Sequence, residues 1–429
     1  MRLPGPADTS FEERASEECW RLRVASATVP SGLQILDHRV LGRAGVEVGE
    51  SEYTLVLPWK YWCPSTVTRT ETGLTVRFSI YFDQRTTDAI APGVTYERTR
   101  RASHEGPLAA HLIRIARRPG SSEVVPVSAG SSLGSVETVS AMARRSRAIA
   151  GINGAYFSTR SGHPLGLLMI DRELWTGPLF HRSALFLAPD RAMVGPTSLS
   201  ERVVLSSGES YDLDGINLPR GANRLVAYTS RYGNRTGTPP DGREWLLDAE
   251  GGILNTVTGN GEIPPSGRVL SAHGQVADWL SNRLKLGQRL VFKQPLFELM
   301  PNVRHIIGAG PRLLMNGRIE LLTEREQFRA DVGIGRAPRT AVGITADGDL
   351  LLLVVDGRSP RHSVGLTLLE LAEFLRERGA VDALNFDGGG SAAMTIRGEL
   401  VSRPSDGAER PVANALLVIP SPGRAAAAP

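Results

Sequence analysis

The sequence predicts an α+β fold in which a domain built on a mixed β-sheet with few helices follows a small β-rich domain. Two patterns carry this prediction. Residues 350–355 (LLLLVV) form an apolar run of strand length that leads into a helix-compatible segment and a second strand, and apolar residues alternate with polar ones over residues 73–82. With 429 residues, 41% of them hydrophobic, the chain is long enough to bury the cores of both domains.

The small leading domain is predicted over residues 1–92. Within residues 73–82 the alternation is that of a half-buried strand, because successive side chains of a strand point to opposite faces. The polar start of the chain is expected to form a solvated arm or an exposed helix. A Pro-Gly pair marks the boundary, so the second domain is predicted over residues 93–420, followed by a disordered, Ala-rich tail at residues 421–429.

Charge and composition narrow the function classes. The 49 lysine and arginine residues against 45 acidic ones leave a net charge of +4 without a long basic run, so nucleic-acid binding is not expected. No window of about 18 apolar residues predicts a transmembrane helix, and the amino terminus lacks the apolar core of a secretory signal. Cys19 and Cys63 have no second cysteine or histidine at metal-ligand spacing, so a zinc site is not expected.

A strand, a helix and a second strand carry most of the candidate chemistry. Residues 350–355 lack alternation, as expected for a strand buried on both faces, and Asp356 follows them. Thr367 and Glu370 form a capping-box pattern that begins a helix of about three turns. The next strand ends at Asp387. Because such a unit makes a right-handed crossover between parallel strands, both aspartates are expected at the same edge of one sheet.

Asp356 and Asp387 are the candidate acid/base or nucleophile pair. They would lie roughly 5 Å apart on adjacent strands, or about 10 Å apart with one strand between them. Carboxyl groups about 5 to 5.5 Å apart suit a covalent nucleophile, and about 6.5 to 9.5 Å leaves room for an attacking water, so either spacing is compatible with glycosyl transfer. The alternative is that each aspartate only ends a strand and accepts hydrogen bonds from loop amides.

Glycine-rich turns are the candidate anion-binding elements. Three glycines at residues 388–390 free the backbone after Asp387 to adopt positive φ and to cradle an anion with its amides, and Ser391 adds a hydroxyl group. Gly308 and Gly310 form a second turn of this kind, which is weak evidence by itself.

Four single residues are weaker candidates. Arg339 could bind a phosphate in a bidentate manner, although a lone arginine before a strand is usually a surface residue. Glu370 is a candidate third acid, but its position in the capping box explains it without catalysis. His273 and His305 are candidate proton carriers, and lone histidines are more often structural.

Six segments, taken in order, resemble the phosphodiester glycosidase family. They are GINGAYF at residues 151–157, VLSAHG at 269–274, GAGPRLL at 308–314, PRTAVG at 338–343, VVDGR at 354–358 and LNFDGGGS at 384–391. The last segment is close to the family's Asn-x-Asp-Gly-Gly-Gly-Ser pattern and is the most specific of the six. The resemblance implies hydrolysis of the bond between the anomeric carbon of a sugar and a phosphate oxygen, with release of a phosphomonoester and a free sugar.

The residue patterns and the resemblance together give a hypothesis for the residues that form the site. The catalytic residues would be Asp387 and Asp356, with Glu370 as a third acid. The substrate-binding residues would be Asn153, Arg339, Thr340, Asn385, Gly388, Gly389, Gly390, Ser391, Gly308, Gly310 and His273. No cofactor and no metal ligand set are predicted, and a divalent cation between the two aspartates stays open because hard oxygen ligands suit calcium or magnesium.

The expected partner is a small-molecule or glycan phosphodiester, and no motif addresses the oligomeric state. The family suggests an exported or periplasmic protein of envelope or exopolysaccharide metabolism, whereas no signal peptide is recognisable here. Two other functions stay open. One is a non-catalytic envelope protein that binds anionic glycan through the same glycine turns, and the other is a metal-dependent phosphodiesterase that breaks the P–O bond.

Overall fold

The computed structural model describes residues 1–4, 10–16, 18–26, 29, 41–117, 122–197, 201–328 and 330–420, and strands dominate it. The predicted low helix content is confirmed. The helices of the described residues are Val139–Arg145, Gly274–Ser281, Pro295–Leu299, Ala330–Gly333 and Leu368–Glu377, with a 3-10 turn at Gly389–Ser391. None of them has the length and apolar character needed to span a membrane.

Eight strands form the largest sheet, called the central sheet below. In spatial order they are Arg318–Ile319, Arg312–Met315, Ala380–Asn385, Arg339–Thr345, Leu350–Val355, Gly106–Ile115, Val94–Ser103 and Phe82–Ala91. Every pair of neighbours in this sheet is antiparallel, so the expectation of a mixed sheet is wrong for it. Parallel pairing occurs between Gly215–Ile216 and Leu225–Thr229, in another sheet.

The predicted strand-helix-strand unit is present, with one strand inserted. Leu350–Val355 and Ala380–Asn385 run parallel to each other, and helix Leu368–Glu377 connects them. Strand Arg339–Thr345 lies between the two and pairs antiparallel with both. All seven of its residues are buried, which suits this central position.

The central sheet is covered on both faces, which explains the uninterrupted apolar run LLLLVV. On one face Leu351 and Leu353 pack with Leu371 of the connecting helix. On the other face Leu352 and Val354 belong to a core that includes residues of the other sheets. Because side chains alternate along a strand, burial of both faces requires apolar residues at every position.

Four further sheets lie within residues 122–420 of the described chain. In spatial order, the strands of the first are Glu123–Ser128, Asn414–Ile419, Ala150–Asn153, Met394–Ile396 and Glu399–Leu400. Those of the second are Glu173–Thr176, Leu168–Ile170, His305–Gly308, Ser183–Leu187 and Ala192–Pro196, and those of the third are Gly215–Ile216, Leu225–Thr229, Arg268–His273, Gly242–Leu247 and Ile253–Val257. The fourth has Ser210–Asp212, Arg202–Val204 and Val291–Lys293. The first of these sheets carries Asn153 to the candidate site.

The leading region contains two small sheets. Their strands are Phe11–Ala15, Cys19–Val24, Tyr53–Pro58 and Gly45–Val48 in one, and Arg2–Pro4, Gly73–Phe78 and Ser65–Thr70 in the other. Both contribute to one core that includes Trp20, Leu55 and Val76. The expectation of an exposed helix is wrong, because Phe11–Ala15 is a strand; four of its five residues are exposed, whereas alternate residues of Cys19–Val24 are buried.

The predicted domain boundary coincides with the turn of a hairpin. Residues 92–93 connect strands Phe82–Ala91 and Val94–Ser103, which pair with each other in the central sheet. The central sheet therefore begins ten residues before the predicted boundary, at Phe82. The division into two domains stays a prediction, and the tail at residues 421–429 lies outside the described residues.

Candidate active site

Three predicted site residues meet at one edge of the central sheet. Asp356 directly follows strand Leu350–Val355, and Asp387 comes shortly after strand Ala380–Asn385. Arg339 begins the strand that lies between them and runs in the opposite direction. The two strands that lead to the aspartates are thus two strand spacings apart, about 10 Å, which is the wider of the two predicted arrangements.

Asp387 has the environment of an acid–base group. The Asn153 side-chain amide donates to its backbone carbonyl at 2.7 Å. Burial raises the pKa of Asp387 to about 6, and a hydrogen bond from Ser391 and the positive charge of Arg410 offset the rise only in part. A carboxyl group with this pKa is present in both protonation states near neutral pH, which suits proton transfer.

Asparagine side chains hold the backbone around Asp387. The Oδ1 atom of Asn153 accepts a hydrogen bond from the Thr340 hydroxyl at 2.7 Å. The Asn385 amide donates to the Tyr156 hydroxyl at 2.8 Å and to the Gly310 carbonyl at 2.9 Å. Because Asn153, Thr340 and Asn385 are all fully buried, they fix the position of the turn that carries Asp387.

The glycine turn after Asp387 lies against two arginines that sequence analysis did not single out. Gly389 has a φ of +59°, and a Cβ atom there would lie 3.2 Å from the Arg358 guanidinium. A Cβ atom at Gly390 would overlap the ends of the Asp406 and Arg410 side chains, which therefore pack directly against the turn. Arg410 Nη1 also donates to the Ser391 hydroxyl oxygen at 3.4 Å. Asp406 lies between the two guanidinium groups: it forms an ion pair with Arg410 and lies 3.9 Å from Arg358 Nη1, so it offsets part of their positive charge.

Arg339, the predicted phosphate ligand, has a different role. Its guanidinium donates to the carbonyls of Leu366 at 2.9 Å, Val332 at 2.9 Å and Gly335 at 3.0 Å. Side chains alternate along the strand, so Arg339 points to the face covered by the helix while Thr340 points to the opposite face. The three carbonyl contacts replace the predicted phosphate contact.

The second glycine turn is part of the sheet framework. The Gly308 amide donates to the Leu167 carbonyl at 2.6 Å, and the Gly310 amide donates to the Asn385 carbonyl at 2.7 Å. These amides are therefore used by the protein itself, which corrects the expectation that they bind an anion.

Glu370 and His273 are not brought into contact with Asp387. Glu370 completes the predicted capping box, accepting from the Thr367 amide at 2.9 Å, and forms a bidentate ion pair with Arg336 at 2.6 and 2.7 Å. His273 ends a strand of another sheet, where its Nδ1 atom accepts from the Asn223 amide at 3.2 Å. Both residues have structural partners that explain them, so neither supports its predicted catalytic or binding role.

Asp356 is bound by two histidines that sequence analysis also missed. Its Oδ2 atom lies 2.7 Å from His362 Nε2 and 3.4 Å from His111 Nε2, and its Oδ1 atom accepts from the Arg403 amide at 2.9 Å. Burial alone would raise the pKa of Asp356, but the hydrogen bonds from both histidines and from Arg403 outweigh it and hold the pKa below its ordinary value. Asp356 is therefore an ionised acceptor, unlike Asp387.

Metal and cysteine chemistry add little to this site. Within the described ranges, no three His, Cys, Asp or Glu side chains form a group that could hold a metal ion. Cys19 and Cys63 are both free thiols in the leading region. The expectation that no cofactor is needed stays a prediction.

Fold and site together define a β-sheet protein with a buried carboxyl group of raised pKa beside a glycine turn that packs against two arginines. Residues 245–419 match the family described as phosphodiester glycosidase. This range contains Asp356, Asp387, Arg358 and Arg410, so the predicted family resemblance is confirmed for it. Asn153 lies before the range and reaches the site through its own strand.

The sequence relatives share part of the chain. The N-acetylglucosamine-1-phosphodiester alpha-N-acetylglucosaminidase of mouse is 50% identical over 171 residues, which cover 36% of this chain and 32% of that protein. Its human counterpart is 46% identical over 117 residues, 27% of this chain and 22% of that protein. The chain thus spans about a third or less of the length of these relatives.

Two solved structures share the fold over nearly the whole chain. A protein from Synechocystis superposes with a TM-score of 0.71 at 22% identity, covering 96% of this chain and 76% of that chain. A protein from Burkholderia pseudomallei gives a TM-score of 0.62 at 20% identity and covers 98% of both chains. At these identities the likeness shows the fold.

The Asp387→Asn variant and the wild type should differ in their free energy of unfolding in a way that depends on pH. Relative to wild type at the same pH, the variant should be more stable at pH 8 than at pH 4. Folding raises the pKa of the Asp387 carboxyl group. Such a group stabilises the folded state at pH values below the pKa that it has in the unfolded chain, and this stabilisation is lost as the pH rises through about 6. The expected difference between the two pH values is up to about 2 kcal/mol. Thermal unfolding at both values measures it, with the exposed Asp347→Asn as control; equal effects at pH 4 and pH 8 would contradict it.

Proposed function

We propose that this protein is a hydrolase that cleaves the bond between a sugar's anomeric carbon and a phosphate oxygen in a glycosyl phosphodiester. The observation that carries the proposal is the position of Asp387 directly before a glycine turn against which Arg358 and Arg410 pack, in a buried environment that raises its pKa to about 6. The match of residues 245–419 to the phosphodiester glycosidase family supports the same reaction.

The phosphate of the substrate is proposed to bind beside the glycine turn. Arg358 is exposed on over half of its side-chain surface and lies next to Gly389, with the Asp406 carboxylate 3.9 Å away, whereas Arg410 lies next to Gly390 and is paired with Asp406. Guanidinium groups present paired N–H donors that match phosphate oxygens. Their positive charge also stabilises the negative charge that develops on the leaving phosphate.

Asp387 is proposed to act as the general acid at the bridging oxygen. In its protonated form it donates to the oxygen that joins the anomeric carbon to phosphorus, and in hydrolysis of this kind the acid is the carboxyl group with the raised pKa. A phosphate ester is a good leaving group, so a partial proton transfer assisted by the arginines suffices. The Ser391 hydroxyl orients the carboxyl group.

The substrate class follows from the relatives. Because the mouse and human proteins are named for a phosphodiester of N-acetylglucosamine, we propose a sugar-1-phosphodiester, with N-acetylglucosamine first among the sugars to test. The family resemblance extends the proposal to envelope or exopolysaccharide metabolism.

Wild-type protein should release free sugar from UDP-N-acetylglucosamine or from another member of a panel of sugar-1-phosphodiesters. Asp387→Asn should reduce turnover by about 10²- to 10⁴-fold, because general acid catalysis contributes about this factor. Sugar release is measured with and without chelator, beside the control Asp347→Asn.

The same assay in oxygen-18 water separates the alternatives. Cleavage at the anomeric carbon places the label on the sugar, whereas label on phosphate would identify a phosphodiesterase that breaks the P–O bond. Binding without turnover across the panel would identify a non-catalytic glycan-binding protein.

The value of kcat/KM should fall as the pH rises through about 6, because deprotonation removes the acid form of Asp387. Initial rates at substrate concentrations below KM, measured from pH 4 to 9, give this profile. The residual activity of Asp387→Asn should lack this fall. A rise of kcat/KM through the same pH range that Asp387→Asn abolishes would instead show that the carboxylate form is active, as a nucleophile or base.

Arg358→Gln should lower kcat/KM by about 10- to 100-fold, mainly through a higher KM, because one charged hydrogen bond to phosphate contributes about 1.5–3 kcal/mol. Arg397→Gln, which removes an exposed arginine of the turn between two other strands, is the matched control. Equal kinetics for the two variants would contradict a phosphate contact by Arg358.

A further inference from the structure

Four side chains form a continuous hydrogen-bonded series that ends at the sheet edge. The Tyr96 hydroxyl lies 2.7 Å from His111 Nδ1, His111 Nε2 lies 3.4 Å from Asp356 Oδ2, and the same oxygen lies 2.7 Å from His362 Nε2. The residues come from strands Val94–Ser103 and Gly106–Ile115 and from the loop after Leu350–Val355. The series therefore crosses three neighbouring strands.

The direction of each hydrogen bond follows from the chemistry of the groups. Ionised Asp356 can only accept, so both histidines present Nε2–H to it. His111 Nδ1 is then the acceptor for Tyr96, whose hydroxyl keeps its proton because burial raises the pKa of Tyr96 to about 12. His362 consequently has its lone pair on Nδ1 when it is neutral, and Nδ1 is the atom that can take up a proton.

Exposure decides which end of the series can meet a substrate. The side chains of Asp356 and His111 are 3% and 6% exposed, whereas that of His362 is 17% exposed. A buried aspartate that holds a partly open histidine has the arrangement by which a carboxylate fixes the tautomer and orientation of a catalytic base.

The loop that carries His362 is held on both sides of the histidine. The His362 amide donates to the Ser359 carbonyl at 3.0 Å, and the buried Ser363 hydroxyl donates to the Asp356 carbonyl at 2.6 Å. Ser363 also accepts from the Ala109 amide at 3.1 Å. These contacts give His362 a fixed position relative to the strand end, as proton transfer requires.

A second loop ties this histidine to the neighbourhood of Asp387. The Arg403 amide donates to Asp356 at 2.9 Å, and Arg410, seven residues further on, donates to Ser391 at 3.4 Å. Ser391 in turn binds Asp387. The loop that contains Arg403 and Arg410 is therefore bonded, through Asp356 and Ser391 respectively, to the partners of both His362 and Asp387.

We propose that His362 is the general base of the reaction, with Asp356, His111 and Tyr96 as positioning residues. This inference rests on the proposed glycosidase function and adds the residue that activates water. It also changes the expected role of Asp356 from a member of the acid/base pair to the group that orients the base.

The proposed step balances in atoms and charge. His362 Nδ1 takes a proton from water as the water oxygen forms a bond to the anomeric carbon. The bond from that carbon to the phosphate oxygen breaks, its electron pair stays on the phosphate, and Asp387 gives its proton to that oxygen. One water is consumed, a free sugar and a phosphomonoester are formed, and proton exchange with solvent restores His362 and Asp387.

The ionisable groups near His362 set the pH range in which it can act. From the elements around it these are Asp356, His111, Tyr96, Arg358, Arg361 and Arg403. Asp387 governs the alkaline side of the kcat/KM profile, and the glutamine variant of His362 measures what that histidine contributes to the acid side.

His362→Gln tests this role because the glutamine amide can still donate to Asp356 but cannot take up a proton. We expect kcat to fall by about 10²- to 10⁴-fold with a change in KM of less than about threefold, and we expect the acid limb of the pH profile to disappear. The unfolding midpoint should stay close to that of wild type. His104→Gln is the matched control, since His104 Nε2 also lies near a carboxylate, 3.0 Å from Glu105, on an exposed turn.

The double variant separates positioning from direct participation. If Asp356 acts through His362, Asp356→Asn alone lowers kcat. Added to His362→Gln, the same substitution causes no further loss of kcat. Additive losses, or a His362→Gln protein with wild-type kcat and an intact acid limb, would overturn the inference while leaving the proposed function in place.

Nitrogen-15 NMR of the histidine side chains gives a readout that does not depend on turnover. The signal that His362→Gln removes should show the Nε2–H tautomer in wild type and a tautomer mixture in Asp356→Asn. An Nδ1–H tautomer, or no change in Asp356→Asn, overturns the inference. Absence of turnover by wild type on every phosphodiester overturns the proposed function and, with it, the assignment of His362 as a base.

Discussion

The site depends on a single constraint of sheet topology, the insertion of strand Arg339–Thr345 between the two strands that lead to the aspartates. The insertion keeps Leu350–Val355 and Ala380–Asn385 parallel while every hydrogen-bonded pair in the sheet is antiparallel. It also sets the two strands that lead to the aspartates two strand spacings, about 10 Å, apart. Without this strand the two carboxyl groups would face each other across adjacent strands.

Opposite electrostatic effects then make the two aspartates chemically different. Burial dominates at Asp387 and raises its pKa, because the few polar contacts that it has do not compensate for lost hydration. Hydrogen bonds dominate at Asp356 and lower its pKa despite burial. One acid is thereby suited to give up a proton and the other to hold a histidine in place, and environments that separate two pKa values in this way are characteristic of acid–base sites.

Local signals in the sequence predicted local structure well. The Thr367 and Glu370 capping box placed the start of the helix, and the run LLLLVV placed a strand buried on both faces, because both patterns depend on residues close together in the chain. The same signals placed both aspartates at one sheet edge. The glycine turn was also predicted, whereas Asn153 was predicted as a substrate-binding residue and instead donates to the Asp387 carbonyl.

What the sequence did not reveal depends on contacts between distant segments. His111 belongs to a strand far from Asp356 in sequence, and an isolated histidine in an apolar strand has no pattern that marks it. Arg410 reaches the glycine turn from a separate loop. Arg339 was misjudged for another reason: its strand is apolar on both faces, so alternation gave no clue that Arg339 and Thr340 point to opposite sides of the sheet.

Strand pairing between segments far apart in the chain has a consequence for biosynthesis. Glu123–Ser128 pairs with Asn414–Ile419, and Gly106–Ile115 pairs with Leu350–Val355. Such long-range pairings slow folding, because the two partners must first be brought together across a long loop. During translation the edge of each earlier strand therefore stays unpaired until its own later partner has left the ribosome. In that interval the unpaired edge can pair with another nascent chain, which is a route to aggregation.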